Sequence, residues 1–282
     1  QAILAQGPPC PASRRPSAVW WRSACAPQAR RAAAMVDSTP WLFLMSHRDE
    51  VREWHREQLR GGRRGPPASN AGMVEDLRLS GSLRSRECVA AFQAVDRQNF
   101  WPADGGELAY ADMPLRHGRL HLSAPHIYAK ALESLMPLLP GMSFLNVGSG
   151  TGYFNSVVSE LVGPSATNHG VDIWPETVAH STRRCGAVGK HSIEFTLGNA
   201  YQLDVGRTMR YDRIYLGACA NSRSKYLYRL LEVGGVLIGP FQAGHTQQLR
   251  RVVRQTETEF LVDVLGSVQF ASLVEPPAEA PA

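Results

Sequence analysis

Leu145-Asn146-Val147-Gly148-Ser149-Gly150-Thr151-Gly152 decides the fold: a short apolar run breaks into three alternating glycines. Bounded apolar runs of this length read as buried strands. The periodic apolar residues of 153–161 that follow read as a helix. A glycine turn between strand and helix lets backbone pass close to a ligand, and the helix start offers free N–H groups. Asp172 stands about 20 residues further on, at the end of the next apolar run, where a carboxylate can accept from ribose hydroxyls. The spacing is G-x-G-x-G, and Tyr153 occupies the third glycine position of a dinucleotide fingerprint. That pattern suits a nucleoside with an amino-acid tail and no pyrophosphate. A nicotinamide-dependent oxidoreductase is a competing reading, and Tyr153 argues against it.

Strands and helices alternate outward from this turn. Residues 143–147, 169–173, 193–197, 213–216 and 236–240 read as strands. Residues 153–161, a segment opened by Pro175, and 222–231 read as helices between them. Residues 247–254 and 260–270 read as an antiparallel hairpin. The expected fold class is α/β: a doubly wound, mostly parallel seven-stranded sheet with an antiparallel C-terminal hairpin. That hairpin fits S-adenosyl-L-methionine-dependent methyltransferases better than dinucleotide oxidoreductases. Upstream, 73–79 and 85–95 read as short helices, followed by an irregular stretch rich in Gly, Pro and Asp and then a helix over 125–139.

The chain has 282 residues, with 30 Lys and Arg against 25 Asp and Glu. Residues 1–72 hold 11 of the basic and 5 of the acidic side chains, so the remainder is close to neutral. The positive excess lies in the extension, so the charge does not support a basic nucleic-acid-reading domain. No apolar run approaches the roughly 18 residues of a membrane span. The sequence begins at Gln1, and residues 1–34 are rich in Ala, Pro and Arg and carry no acid. They read either as an organelle transit peptide or as sequence translated upstream of Met35. Residues 46–60 read as a charged helix and 61–67 as a linker. The expected organisation is a basic, largely disordered extension over 1–69, a folded domain over 70–275 and a Pro/Ala tail over 276–282. Cys10, Cys25, Cys88, Cys185 and Cys219 form no C-x-x-C pair and read as reduced intracellular thiols.

A second signal precedes the first cofactor strand: Gly118-Arg119-Leu120-His121-Leu122-Ser123-Ala124-Pro125-His126-Ile127-Tyr128. A hydroxyl residue followed by Pro is commonly a helix cap. His117, His121 and His126 lack an acidic or Cys partner at metal-ligand spacing, so no metal is expected. Ser123 lacks the G-x-S-x-G context of a hydrolase nucleophile.

From about Asn70 to Glu275 the chain resembles the protein-L-isoaspartate (D-aspartate) O-methyltransferase family. Ser123-Ala124-Pro125-His126 matches its substrate-side signature and Gly148-Ser149-Gly150-Thr151-Gly152 its cofactor turn. Tyr211-Asp212-Arg213-Ile214-Tyr215-Leu216-Gly217-Ala218 and Leu231-Glu232-Val233-Gly234-Gly235 match later motifs. Ala109-Tyr110-Ala111-Asp112 and Ser143-Phe144-Leu145-Asn146 are nearer to the methyltransferase-domain-containing relatives of the repair enzyme. Against the repair enzyme, Asn146 replaces Asp, Asn199 stands in a segment that carries an acid, Tyr128 replaces a second His and Val274 a Thr. The relatives also carry a C-terminal extension that recruits a ubiquitin-ligase scaffold, and none is expected here.

The resemblance implies methyl transfer from S-adenosyl-L-methionine to L-isoaspartyl and D-aspartyl sites of damaged proteins, by a cytoplasmic monomer with no nucleic-acid or membrane partner. Organelle import enters if residues 1–34 are a transit peptide. A catalytically weak cofactor-binding adaptor that recognises the same sites is the alternative, favoured by Asn146 and Asn199. Ser123 is the expected catalytic residue, and Ser123 with His126 would bind substrate. Gly148, Gly150 and Gly152 would pass under the cofactor's amino-acid part, with Asn146 facing its ammonium group. Asp172 would bind ribose, Asn199 and Ala200 would flank adenine, and Leu122, Ser149 and Ile173 complete the set.

Overall fold

The computed structural model describes residues 67–102 and 108–275. Residues 1–66 of the expected extension, with the helix over 46–60 and all but the last residue of the linker, and the tail lie outside the described residues, as do Cys10 and Cys25.

The domain opens with helices α1 (Asn70–Leu79) and α2 (Arg86–Ala94). Met73, Val74 and Leu77 on α1 and Cys88, Ala91 and Phe92 on α2 are buried at helical spacing. The stretch read as irregular contains a small hairpin, β1 (Leu115–His117) and β2 (Leu120–Leu122), turned at Gly118. Its pattern is short but legible afterwards: Leu120 and Leu122 alternate with Arg119, His121 and Ser123. Helix α3 spans Pro125–Leu135, shorter than the expected 125–139. Met136, forced extended before Pro137, ends it.

The central layer follows: β3 (Phe144–Val147), α4 (Tyr153–Val162), β4 (Asn168–Asp172), α5 (Pro175–Ala187), β5 (Ile193–Leu197), β6 (Tyr211–Leu216), β7 (Leu231–Ala243), β8 (Thr246–Arg254) and β9 (Phe260–Val268). They form a seven-stranded sheet of order β5-β4-β3-β6-β7-β8-β9. Strands β5 to β7 run parallel and β7-β8-β9 antiparallel, as the sequence pattern requires.

The sheet separates two cores. Phe144, Tyr215 and Ile238 pack with Leu132, Phe154 and Val158 beneath α3 and α4. Leu145, Val147, Ile214, Leu216 and Leu237 face the other way, onto Leu203, Leu227 and Leu230. Burying each of these large side chains contributes roughly 1.5–3 kcal/mol. The second face is covered by tight turns. Residues Ser222–Leu230, expected as an α-helix, are wound as a 3-10 helix. The burial period is three residues: Ser224, Leu227 and Leu230 are all fully buried, and positions i and i+3 eclipse in a 3-10 helix. Strand β7 runs well beyond the expected 236–240: it begins at Leu231, opposite Tyr211 of β6, and continues to Ala243, where 241–243 pair with 246–248 of β8.

Candidate functional site

Strand order reverses between β3 and β6, since β4 and β5 build outward from β3 on one side and β6 starts on the other. The carboxyl ends of strands at such a switch point leave a crevice. Val147 and Gly148 at the end of β3, and Gly217 and Ala218 after β6, line it. The cleft holds about 850 Å³ of space, its open mouth included.

Two glycines make that crevice. Gly148 and Gly217 face each other so closely that a Cβ on Gly217 would lie 2.4 Å from the Gly148 carbonyl oxygen. Gly150, at φ +55°, approaches the β1–β2 hairpin, and its added Cβ would fall 2.8 Å from the His121 carbonyl oxygen. The glycine turn is therefore wedged between β6 and the hairpin.

Asp172 ends β4 in the cleft, only 8% exposed. Its Oδ2 accepts the Gly150 N–H at 3.0 Å and its Oδ1 accepts the Trp174 N–H at 3.1 Å. Burial pushes its carboxyl up to about 6, against the opposing pull of these N–H groups. It thus braces the turn and keeps lone pairs for a ligand. Around the turn, Asn146 Oδ1, Ser149 Oγ and Thr151 Oγ1 are buried oxygens that make no hydrogen bond. Buried oxygens of this kind are satisfied almost everywhere in proteins; these three lie behind the turn, outside the cleft lining.

Asn146 is committed on one side. Its Nδ2 donates to Asn155 Oδ1 at 2.7 Å, and Asn155 Nδ2 donates to Asn168 Oδ1 at 2.8 Å and the His169 carbonyl at 3.1 Å. Only Oδ1 of Asn146 remains for a partner.

The remaining walls come from the hairpin and the C-terminal segment. Leu120 and Leu122 of β2 face the core, so Arg119, His121 and Ser123 line the cleft. Ser123 Oγ lies 3.4 Å from His121 Nε2, while the Ser123 N–H donates to Tyr128 Oη at 3.3 Å. Burial, with Arg116 and Arg97 nearby, lowers the His121 imidazole to about 4, so it is neutral at physiological pH. Tyr128 stacks on Phe154 within an aromatic cluster that includes Tyr153. On the far side, Cys219 pairs with 271–273 through backbone bonds, bringing Ala271, Leu273 and Val274 into the wall. Asn199 Nδ2 donates to the Val274 carbonyl at 3.0 Å, and its Oδ1 accepts the Tyr201 N–H.

Of the residues expected at the site, the cleft collects Ser123, Gly148, Gly150, Asp172, Ile173, Asn199 and Ala200. Leu122 is fully buried in the core and Ser149 is buried behind the turn. Gly152 packs toward Cys185 of α5. His126 is not among the lining residues; it is half-exposed, its Nδ1 2.9 Å from Asp112 Oδ1. The sequence reading missed Arg116, Arg119, His121, Trp174, Gly217 and Ala218 as site residues. For Arg119 and His121 the signal was a faint one, the alternation along 119–123, and for Gly217 and Ala218 it was the carboxyl end of a central strand. Among the described residues, no group of three His, Cys, Asp or Glu could hold a metal.

A glycine turn at the switch point, a carboxylate at the end of the next strand and antiparallel last strands define a methyltransferase-type nucleoside-binding domain. The chain belongs to the protein-L-isoaspartate(D-aspartate) O-methyltransferase family, whose profile matches residues 68–277. It is 31% identical over 204 residues to a protein-L-isoaspartate O-methyltransferase of Methanothermobacter thermautotrophicus, covering 72% of this chain and 93% of that protein. It is 30% identical over 260 residues to protein-L-isoaspartate O-methyltransferase 2 of Arabidopsis thaliana, covering 88% and 82%. A Plasmodium falciparum structure of the same description, solved with S-adenosyl-L-homocysteine, superposes with a TM-score of 0.67 at 25% identity, over 74% of this chain and 99% of that one.

Proposed function

We propose that this chain is an S-adenosyl-L-methionine-dependent carboxyl methyltransferase acting on L-isoaspartyl and D-aspartyl residues of damaged proteins. One observation carries the reading: the glycine turn, Asp172 and Ser123 face a single cleft. The cleft lining fits the cofactor: Asp172 would accept from ribose, the backbone of Gly148 and Gly150 would pass beside the amino-acid part, and Ile173, Asn199 and Ala200 would flank adenine.

When bound, S-adenosyl-L-methionine supplies a methyl group on a positively charged sulfur, which leaves as a neutral thioether. The isoaspartyl carboxylate is ionised at neutral pH, since carboxyl groups titrate near 4. No side chain has to remove a proton. The work left to the protein is alignment, which can supply much of the rate. Ser123 is placed for it, because its Oγ is a donor at the cleft wall. Its own N–H is occupied by Tyr128, so the hydroxyl rather than the backbone reaches substrate. His126 would bind substrate from outside the cleft lining, braced by Asp112.

A cytoplasmic monomer belongs to the same reading. Cys88, Cys185 and Cys219 are free, buried thiols, which suits a reducing compartment. Sedimentation of the purified chain checks the monomer.

The test is methyl transfer from labelled S-adenosyl-L-methionine to an isoaspartyl peptide beside its normal-aspartyl twin. A melting shift with S-adenosyl-L-homocysteine on the same sample reports cofactor binding. Selective labelling of the isoaspartyl peptide supports the enzyme. Cofactor binding with neither peptide labelled would overturn it in favour of the adaptor.

A further inference from the structure

The β1–β2 hairpin presents one polar face to the cleft. On β2, His121 points away from the core-facing Leu120 and Leu122, and the flanking Arg119, in the hairpin turn, and Ser123, just past the strand, line the cleft with it. Arg116 pairs directly opposite His121 in the hairpin register and therefore shares that face. All four line the same cleft. Among the described residues neither arginine side chain makes a hydrogen bond or ion pair, and Asp172, also in the cleft lining, is already braced by two backbone N–H groups.

Arg119 is nonetheless held in place. Its guanidinium carbon lies 4.1 Å from the centre of the Trp174 ring. The Trp174 backbone is fixed in turn, since its N–H donates to Asp172 Oδ1 and it occupies the N-cap position of α5. Stacking uses the face of a guanidinium and leaves its N–H edge free, the edge that matches a carboxylate.

We propose that Arg119, stacked on Trp174, is a specificity-determining residue that receives the carboxylate of the substrate, with Arg116 adding a second positive charge to the wall. This rests on the methyltransferase reading and deepens it: the substrate is a peptide whose isoaspartyl linkage leaves a free carboxylate. A carboxylate offers about four lone-pair positions, so a guanidinium on one side leaves an oxygen open to the methyl group. Ser123, in the same cleft lining, donates to the same group. Because the Ser123 N–H is occupied, the guanidinium takes the place of a backbone anion site.

The experiment compares wild type with Arg119→Gln and Arg119→Lys. It reads the Kd of an isoaspartyl peptide with S-adenosyl-L-homocysteine saturating, then KM and kcat, then the melting shift given by S-adenosyl-L-homocysteine alone. Arg119→Gln raises peptide Kd and KM roughly ten- to hundredfold, the worth of a hydrogen bond between charged groups. The change falls on KM more than on kcat, Arg119→Lys recovers part of it, and the cofactor-induced melting shift persists. Added salt weakens wild-type peptide binding more than it weakens the Gln variant. Unchanged peptide binding in Arg119→Gln overturns the inference, as does loss of the melting shift, which would assign Arg119 to the cofactor or the fold. A wild type that binds no isoaspartyl peptide and labels none overturns the methyltransferase reading itself, and this inference with it.

Discussion

The side-chain amide of Asn155 donates to the main-chain carbonyl of His169 at 3.1 Å, and this bond sets the direction of a buried amide ladder. A carbonyl oxygen can only accept, so Nδ2 of Asn155 must point toward β4. Its Oδ1 then points toward β3 and needs a donor, which Asn146 Nδ2 supplies at 2.7 Å. Asn146, Asn155 and Asn168 are each at most 2% exposed. Position 146 is thus required to donate, and a carboxylate cannot.

Restoring an acid there is accordingly costly. Asn146→Asp sets oxygen against oxygen in a dry site and should destabilise the fold by about 2 kcal/mol or more. Thermal melting of the unliganded variant is the check. A variant that melts with wild type and binds S-adenosyl-L-homocysteine more tightly would show that the ladder does not dictate the residue.

Asp172 links cofactor binding to pH. Its folded pKa of about 6 lies above the unfolded value near 3.9, so the stability it contributes is present below about 4 and lost as pH rises through about 6. Measured as a difference in melting temperature, wild type should gain on Asp172→Asn as pH falls from 7 to 5. Cofactor affinity should move the opposite way, because the ionised carboxylate is the better acceptor for ribose. Titration calorimetry with S-adenosyl-L-homocysteine at pH 5 and 7.5 reads this directly, and equal affinities would remove Asp172 from the ribose site.

His121 has the reverse sign. Its folded pKa of about 4 lies below the unfolded value near 6.5, so its stabilisation is present above about 6.5 and lost as pH falls through about 4. His121→Gln should therefore close on wild type in stability, or overtake it, as the pH drops over that window. Parallel melting curves for the two proteins from pH 7 to 4 would contradict the burial argument.

Gly150→Ala tests the wedge between turn and hairpin. The new methyl meets the His121 carbonyl at a backbone angle that side chains avoid, and backbone strain of this kind costs of order 1–3 kcal/mol. The expected result is a lower melting temperature together with loss of the melting shift from S-adenosyl-L-homocysteine. A variant that keeps both would mean the turn has room that the geometry denies.

The parallel core was legible because its signals are local. Residues 145–152 and Asp172 announce a strand, a turn and an acceptor within one short span, and short buried strands flanked by glycines leave few alternatives. The hairpin wall was not legible, because three-residue strands are below the length at which alternation stands out and the stretch is dense in turn residues. Helical periodicity misled at 222–230, where a period of three and one of three and a half differ by little over nine residues. The use of Asn199 was also hidden: its amide ties down Val274, 75 positions away, which no local pattern encodes. Like Asn146, it donates an N–H that an acid could not give. The two departures from the repair enzyme's acids thus share a physical cause.

The cleft is assembled from two separable pieces. Its floor belongs to the seven-stranded sheet, while the wall carrying Arg116, Arg119, His121 and Ser123 belongs to a two-stranded hairpin that, among the described residues, pairs with no other strand. Such modularity lets one piece diverge while the other is held constant. Exchanging the loop over 115–122 between related chains would transplant a taste for one acceptor or another onto an unchanged methyl-donor pocket, a route by which a lineage can acquire new clients without rebuilding its engine.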